Sequence, residues 1–372
     1  MAIKKKPFVS QTRKTIPSPP AKASTPLFKF KTSLLTASIF LVGLLACDRG
    51  LGLWLTQQFS KTMISDDTMG NVFNQAIHAN TDAYILGDSR AKYHYNPRPL
   101  QLKTGLSFFN AGVVAQDVFC FRMGTDVLEQ FHQPKLYLVE LSTYVFDIQP
   151  NQYLGALTTF APYRHRTHTF EQLLEIEKHA NHPRLPYLLK IKSYSFRSHL
   201  FPILRQLVGQ KPAHPDGFEA KSETLDPRKL PLHRNGLAGI LDEVKVMQFI
   251  DFVKQSQSKG IRVVVCVGPM YRWDSNFVLW QSEWYYLRCI RQLCKLLAVP
   301  LIEISEAAYP EYRDPTYYMD QNHLNKRGAE LFSHQVADHL RTILTLPNME
   351  AFYASPYFPQ IDPADYPLPL SK

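Results

Sequence analysis

Residues 83–90 read AYILGDSR, four apolar residues running into Gly-Asp-Ser-Arg. A short run that is apolar throughout predicts a strand buried on both faces. Gly87 permits a tight turn after it, so that Ser89 stands at the C-terminal end of the strand. A helix N-terminus at that point would favour a developing oxyanion, which is what a nucleophilic serine needs. Gly-Asp-Ser is also a common turn after any strand, so the motif carries chemistry only in company.

Outward from this strand, short β-rich runs alternate with helical stretches. Further strands are predicted at 107–109 (SFF), 136–141 (LYLVEL), 262–267 (RVVVCV) and 301–304 (LIEI). Residues 241–259 form the crossover helix before the fourth, with Val244, Met247, Phe249, Ile250 and Val253 at three- and four-residue spacings and Gly260 as a stop. A last helix starts at a capping Asn325 and lines up Ala329, Phe332, Val336 and Leu340 on one face. Strands alternating with helices predict an α/β fold with a central parallel sheet covered on both faces.

The rest of the chain sorts into segments by composition. Residues 1–31 hold seven Lys, one Arg and no acid, which accounts for eight of the ten net positive charges. A basic tail directly before an apolar run orients a membrane segment; it is not the basic stripe of a nucleic-acid binder, and no nucleic-acid partner is expected. The apolar run covers 32–55, is interrupted by Asp48 and Arg49, and has Trp54 as an interfacial anchor, so it predicts a transmembrane signal anchor. A rival reading takes Leu44 to Cys47 as a lipobox with Cys47 acylated. Residues 56–80 are expected as a linker, 81–345 as the main domain with an insertion at 150–235, and 346–372 as a Pro-rich tail. The insertion, with helices from Phe170 to His179 and from Pro186 towards Val208, is expected to shape a substrate site as a cap. The five cysteines, Cys47, Cys120, Cys266, Cys289 and Cys294, make no CxxC pair and no disulfide framework, and neither a metal nor a cofactor is expected.

Two more blocks keep GDSR company. Asn110-Ala111-Gly112 follows the second strand, where a glycine N–H can approach a substrate oxygen. Asp320-Gln321-Asn322-His323-Leu324-Asn325 precedes the last helix, and a three-residue separation on a turn lets Asp320 reach back to the His323 imidazole. Together GDSR (87–90), NAG (110–112) and DQNHLN (320–325) resemble the SGNH (GDSL-like) hydrolase superfamily over most of residues 81–345. The resemblance implies a flavodoxin-like three-layer α/β/α fold, with Ser89 as nucleophile, His323 as general base and Asp320 as its orienting partner. It further implies backbone oxyanion donors at Ser89 and Gly112. The family's third block, Gly-x-Asn-Asp, is absent: the third strand runs into Glu140-Leu141-Ser142-Thr143, where Ser142 is a candidate hydroxyl donor and Glu140 a candidate structural acid.

Variant third blocks with a single N-terminal anchor look like the extracytoplasmic SGNH-like proteins of cell-envelope polymer modification. That likeness implies a bacterial inner-membrane protein with its domain outside the cytoplasm. It would act as an esterase or O-acyltransferase on acylated carbohydrate or another ester, with a membrane acyltransferase as partner. A non-catalytic scaffold in an export or modification complex is the alternative, and a lipase-like enzyme a weaker one. Arg90 and Asn110 are candidate substrate-binding residues, although an Arg in the place of Arg90 is more often a solvent-facing helix start. Tyr163, Arg164, His165, Arg166 and His168 read as a sugar groove or as an exposed loop, and Trp273, Trp280 and Trp284 as sugar platforms or core.

Overall fold

In a computed structural model of the chain, the described residues are 26–64, 71–115, 117–141, 145–147, 152–179, 183–230, 241–271, 277–347 and 349–359. The five expected strands form one sheet: β1 (Ala83–Leu86), β2 (Phe108–Asn110), β3 (Leu136–Glu140), β4 (Arg262–Val267) and β5 (Leu301–Glu303). All neighbours pair in parallel in the order β2-β1-β3-β4-β5, so that all C-terminal ends lie along one edge. The protein is α/β, as the alternation predicts.

Side-chain alternation along each strand feeds two separate cores. Tyr84, Leu86, Tyr137 and Val139 point into one, together with Phe119, Met123, Phe249 and Phe252 from the helices Val118–Leu128 and Glu243–Ser258. Ala83, Ile85, Leu136 and Leu138 point into the other, where Phe332, Val336 and Leu340 of the helix Lys326–Leu344 cover them. Strands that are largely apolar on both faces result because each face has its own cover.

Two expectations about domain limits need correction. Residues 56–80 are not a linker among their described members: a single helix runs from Pro26 to Phe59, and the helix Val72–Ala79 follows. Leu55, Phe59, Val72 and Phe73 are buried in the first core, since apolar residues at helical spacing there gain more from burial than from solvent. The insertion is also not simply a cap. Its helices contribute Leu157, Phe160, Phe170, Leu173, Leu188 and Ile203 to that same core. The C-terminal segment packs as far as it is described, with Phe352 buried and Tyr357 accepting from the Leu301 N–H.

By spatial clustering the chain divides into residues 1–48 and 49–372. The helix within Ser33–Phe59 is long and apolar enough to cross a membrane. Cys47 is exposed, while Cys120, Cys266, Cys289 and Cys294 are buried and unpaired, as packing residues would be.

Candidate active site

Strand β1 ends in a turn that only glycine fits. Gly87 has φ +142°, and a Cβ there would lie 2.7 Å from the Glu140 carbonyl oxygen. Asp88 then caps the helix Ser89–His94 by accepting from the Arg90 N–H at 2.8 Å. Ser89 is thereby the first helical residue, at the carboxyl edge of the sheet.

The other half of the site is a tight loop before the last helix. Tyr318 and Leu324 form an antiparallel bridge, and the Met319 N–H donates to the His323 carbonyl at 2.9 Å. Asn325 closes the loop: its Oδ1 accepts from the Gly328 N–H, and its Nδ2 donates to the Thr316 and Tyr318 carbonyls. Inside the loop Asp320 Oδ1 accepts from the N–H groups of Asn322 and His323 at 2.7 and 3.0 Å.

These two pieces meet. Ser89 Oγ lies 2.7 Å from His323 Nε2, and His323 Nδ1 lies 2.9 Å from both carboxylate oxygens of Asp320. Partial burial pushes the Asp320 carboxyl up, but its hydrogen bonds to His323 and the loop N–H groups outweigh burial and hold it below its ordinary value. An ionised Asp320 fixes the proton on Nδ1 and leaves Nε2 free to accept from Ser89. The side chain of His323 is 18% exposed and that of Asp320 48%, so the constellation opens to solvent.

The other expected site residues are placed differently. Arg90 is neither at the substrate nor in solvent: it is 3% exposed, pairs with Glu140 at 3.4 Å and donates to the Gly268 carbonyl. The second residue of the helix turns under the sheet edge, where Glu140 awaits as the structural acid. Tyr95 also donates to Glu140, and burial pushes that carboxyl up against the pull of Arg90. Asn110 is fully buried and donates to the Ala91 and Tyr95 carbonyls at 2.7 and 2.8 Å, holding the helix that carries Ser89. Its Oδ1 accepts from the Gly112 N–H at 3.0 Å. Gly112 is therefore not a free oxyanion donor; its missing side chain serves close packing, since a Cβ would lie 2.4 Å from the Lys92 nitrogen. Ser142 and Trp273 lie outside the described residues, as do the side chains of Trp280 and Trp284. Tyr163 is buried against Asn74, whereas His165, Arg166 and His168 are exposed with Arg166 over the Phe131 ring, so these residues do not form one groove.

Two features escaped the sequence reading. His94 accepts from the Leu324 N–H at 3.0 Å and ties the serine helix to the histidine loop. Full burial, with Arg90 and His323 nearby, drives its pKa well below the usual imidazole value, so it is a neutral strut. No periodicity singles it out, because its partner lies on a distant segment. The second feature is a strap at 214–226: Asp216 accepts from the Asn110 N–H, Glu219 pairs with Lys92 at 3.1 Å, and the Leu225 N–H donates to Tyr318. Gly217, with φ +81° and no room for a Cβ against the Asn110 carbonyl, lets the strap pass so close. Among the described residues, this is a part of the insertion that reaches the site.

No protein-family model and no curated protein matches the sequence. The site's geometry therefore has to carry the functional reading by itself.

Proposed function

We propose that the chain is a membrane-anchored serine esterase or O-acyltransferase of the SGNH type, built on a three-layer α/β/α domain and working through an acyl-Ser89 intermediate. The observation that carries this reading is the continuous Ser89–His323–Asp320 hydrogen-bonded chain. His323 Nε2 takes the Ser89 proton as Oγ attacks the acyl carbonyl, then delivers it to the departing alcohol or thiol. Water or a carbohydrate hydroxyl attacks next, His323 accepts its proton, and Ser89 leaves with that proton restored. With the Gly112 N–H engaged, the Ser89 backbone N–H in the first turn of its helix is the oxyanion donor this reading retains among the described residues, with the Ser142 hydroxyl a further candidate.

The expected setting is a bacterial inner membrane with the domain on the outer side. Acylated envelope carbohydrate would be the substrate and a membrane acyltransferase the source or recipient of the acyl group. The occupied Gly112 N–H, together with the missing Asn after β3, favours a second reading as a non-catalytic scaffold. Loss of one oxyanion donor costs on the order of a hundredfold or more in rate, so the two readings differ in a measurable quantity.

Reaction of the full-length protein with a fluorophosphonate probe separates them. Labelling of wild type that vanishes in Ser89→Ala and His323→Ala supports the activated serine. A folded wild type that stays unlabelled removes the hydrolase reading and leaves the scaffold.

A further inference from the structure

We propose that the helix Leu200–Leu207 is a second membrane contact, its apolar face lying in the headgroup layer of an anionic bilayer. This rests on reading the apolar helix within Ser33–Phe59 as a membrane anchor; the apolar face and the charge come from a different part of the chain, and only the third observation uses the last turns of that helix.

The first is an unpartnered apolar face. Leu200, Phe201, Leu204, Leu207 and Val208 are all exposed, Phe201 at 74% and Val208 at 83%. At about 100° per residue they fall within one arc of about 120°, while Pro202 and Ile203 face the core. Tyr187 and Ile191, just before this helix, are exposed as well. A water-soluble surface does not ordinarily gather so many large apolar side chains on two turns.

The second is charge. From Arg184 to Lys211 the chain carries Arg184, Lys190, Lys192, Arg197, Arg205 and Lys211 and not one acid. A short helix with an apolar face inside a wholly basic stretch is what binds in the plane of an acidic lipid surface. A protein partner of the apolar face would not require this excess.

The third is position. The last turns of the N-terminal helix, within the unit 49–372, pack on this same stretch. A Cβ on Gly52 would lie 2.1 Å from Lys192 Cγ, and Phe59 stacks edge-on against Phe196 and His199. The Met63 N–H donates to Gln206 of the amphipathic helix at 3.1 Å. The basic, apolar stretch is therefore fastened to the last turns of the helix whose earlier part is read as the membrane anchor.

The test uses the full chain with Cys47→Ser and a single new cysteine at Phe201, Val208 or, as reference, the exposed Leu102. Each carries an environment-sensitive NBD dye in liposomes of phosphatidylglycerol or of phosphatidylcholine. Expected are a blue shift and quenching by doxyl-labelled lipid at Phe201→Cys and Val208→Cys, stronger in phosphatidylglycerol, with Leu102→Cys quenched by aqueous iodide instead. Lys190→Gln with Lys211→Gln should weaken the preference for phosphatidylglycerol. Iodide quenching at all three positions overturns the proposal. Dyes that are wet in pure lipid but covered in native membrane vesicles overturn it too, and assign the face to a protein. Resistance of the chain to alkaline carbonate extraction tests the anchor separately, so a failed anchor and a failed surface contact are told apart.

Discussion

Ser89 and Arg90 are neighbours in one motif, yet they belong to different parts of the molecule. Ser89 stands at the rim and meets His323, a partner that is open to solvent. Arg90 turns inward to Glu140, whose side chain has no exposure at all. Successive residues of a helix point about 100° apart, so a helix that starts at a sheet edge sends one side chain to the ligand side and the next beneath it. Nearness in a motif is thus no guide to a shared role; what each side chain is made to face decides it. Substitutions on either side of that divide should have opposite signatures.

The largest effect should come from the rim. Asp320→Asn keeps the loop hydrogen bonds but removes the charge that holds the proton on His323 Nδ1, so ester turnover should fall by about 10⁴-fold, roughly 5 kcal/mol. Thermal unfolding should move little, because Asp320 is half exposed. A large drop in melting temperature instead would place Asp320 on the structural side.

Arg90→Ala should do the reverse. It leaves Glu140 buried and unpaired, which costs about 3–5 kcal/mol of stability in chemical denaturation. Replacing both partners with apolar residues, Arg90→Met with Glu140→Leu, should restore much of that loss. If the single variant unfolds normally but loses affinity for an anionic ester, Arg90 acts on substrate after all.

Those two residues also mark how far the sequence could be read. The five strands and their parallel sheet were legible, because each strand is largely apolar on both faces and helices alternate with the strands along the chain. The meeting of Ser89, His323 and Asp320 was legible for a similar reason: a strand-turn-helix places Ser89, and a three-residue spacing on a turn places Asp320 against His323. What could not be read depends on pairs far apart in the chain. Arg90 with Glu140, His94 with the Leu324 N–H, and the strap on Asn110 have no local pattern. Gly112 was misread because its N–H is claimed by a side chain only two residues away, a contact that a backbone turn alone does not announce. Residues 56–80 differ from a linker because the helix continues past the apolar run and its last turns enter the core.

Acid should separate the buried polar groups from the rim by another route. His199 is fully buried between Asn71 and the Thr159 carbonyl, and burial lowers its pKa from 6.5 to about 4. The folded state thus prefers the neutral ring. Its contribution to stability is complete above pH 6.5 and is lost as the pH falls towards 4, a change of about 3 kcal/mol. Denaturation midpoints between pH 7 and 4 should show this decline, and His199→Gln should flatten it from a lower starting value. Since His199 stacks against Phe59, acid should also loosen the end of the N-terminal helix. An unchanged slope in the variant would assign the decline to other groups.

The smallest effects come from two glycines that sequence alone treats alike. Gly112 sits against the helix of Ser89, where a Cβ would lie 2.4 Å from the Lys92 nitrogen and 2.8 Å from Ala91 Cβ. Backbone on one side and a buried methyl on the other leave no flexible neighbour to give way, so Gly112→Ala should cost about 1–3 kcal/mol. The helix can only move outward, which carries Ser89 away from His323, so fluorophosphonate labelling should slow as well. Gly155 lies exposed within the helix Gln152–Phe160, with nothing within 4 Å of its would-be Cβ. There the same substitution removes only backbone freedom from the unfolded chain, so Gly155→Ala should raise stability by about 0.5–1 kcal/mol and leave labelling unchanged. Opposite signs from one chemical change would show that the close approach at Gly112, and not glycine's flexibility, sets the position of the serine. Equal signs would mean that the serine helix is free to shift, and the rim would then owe little of its geometry to the buried side.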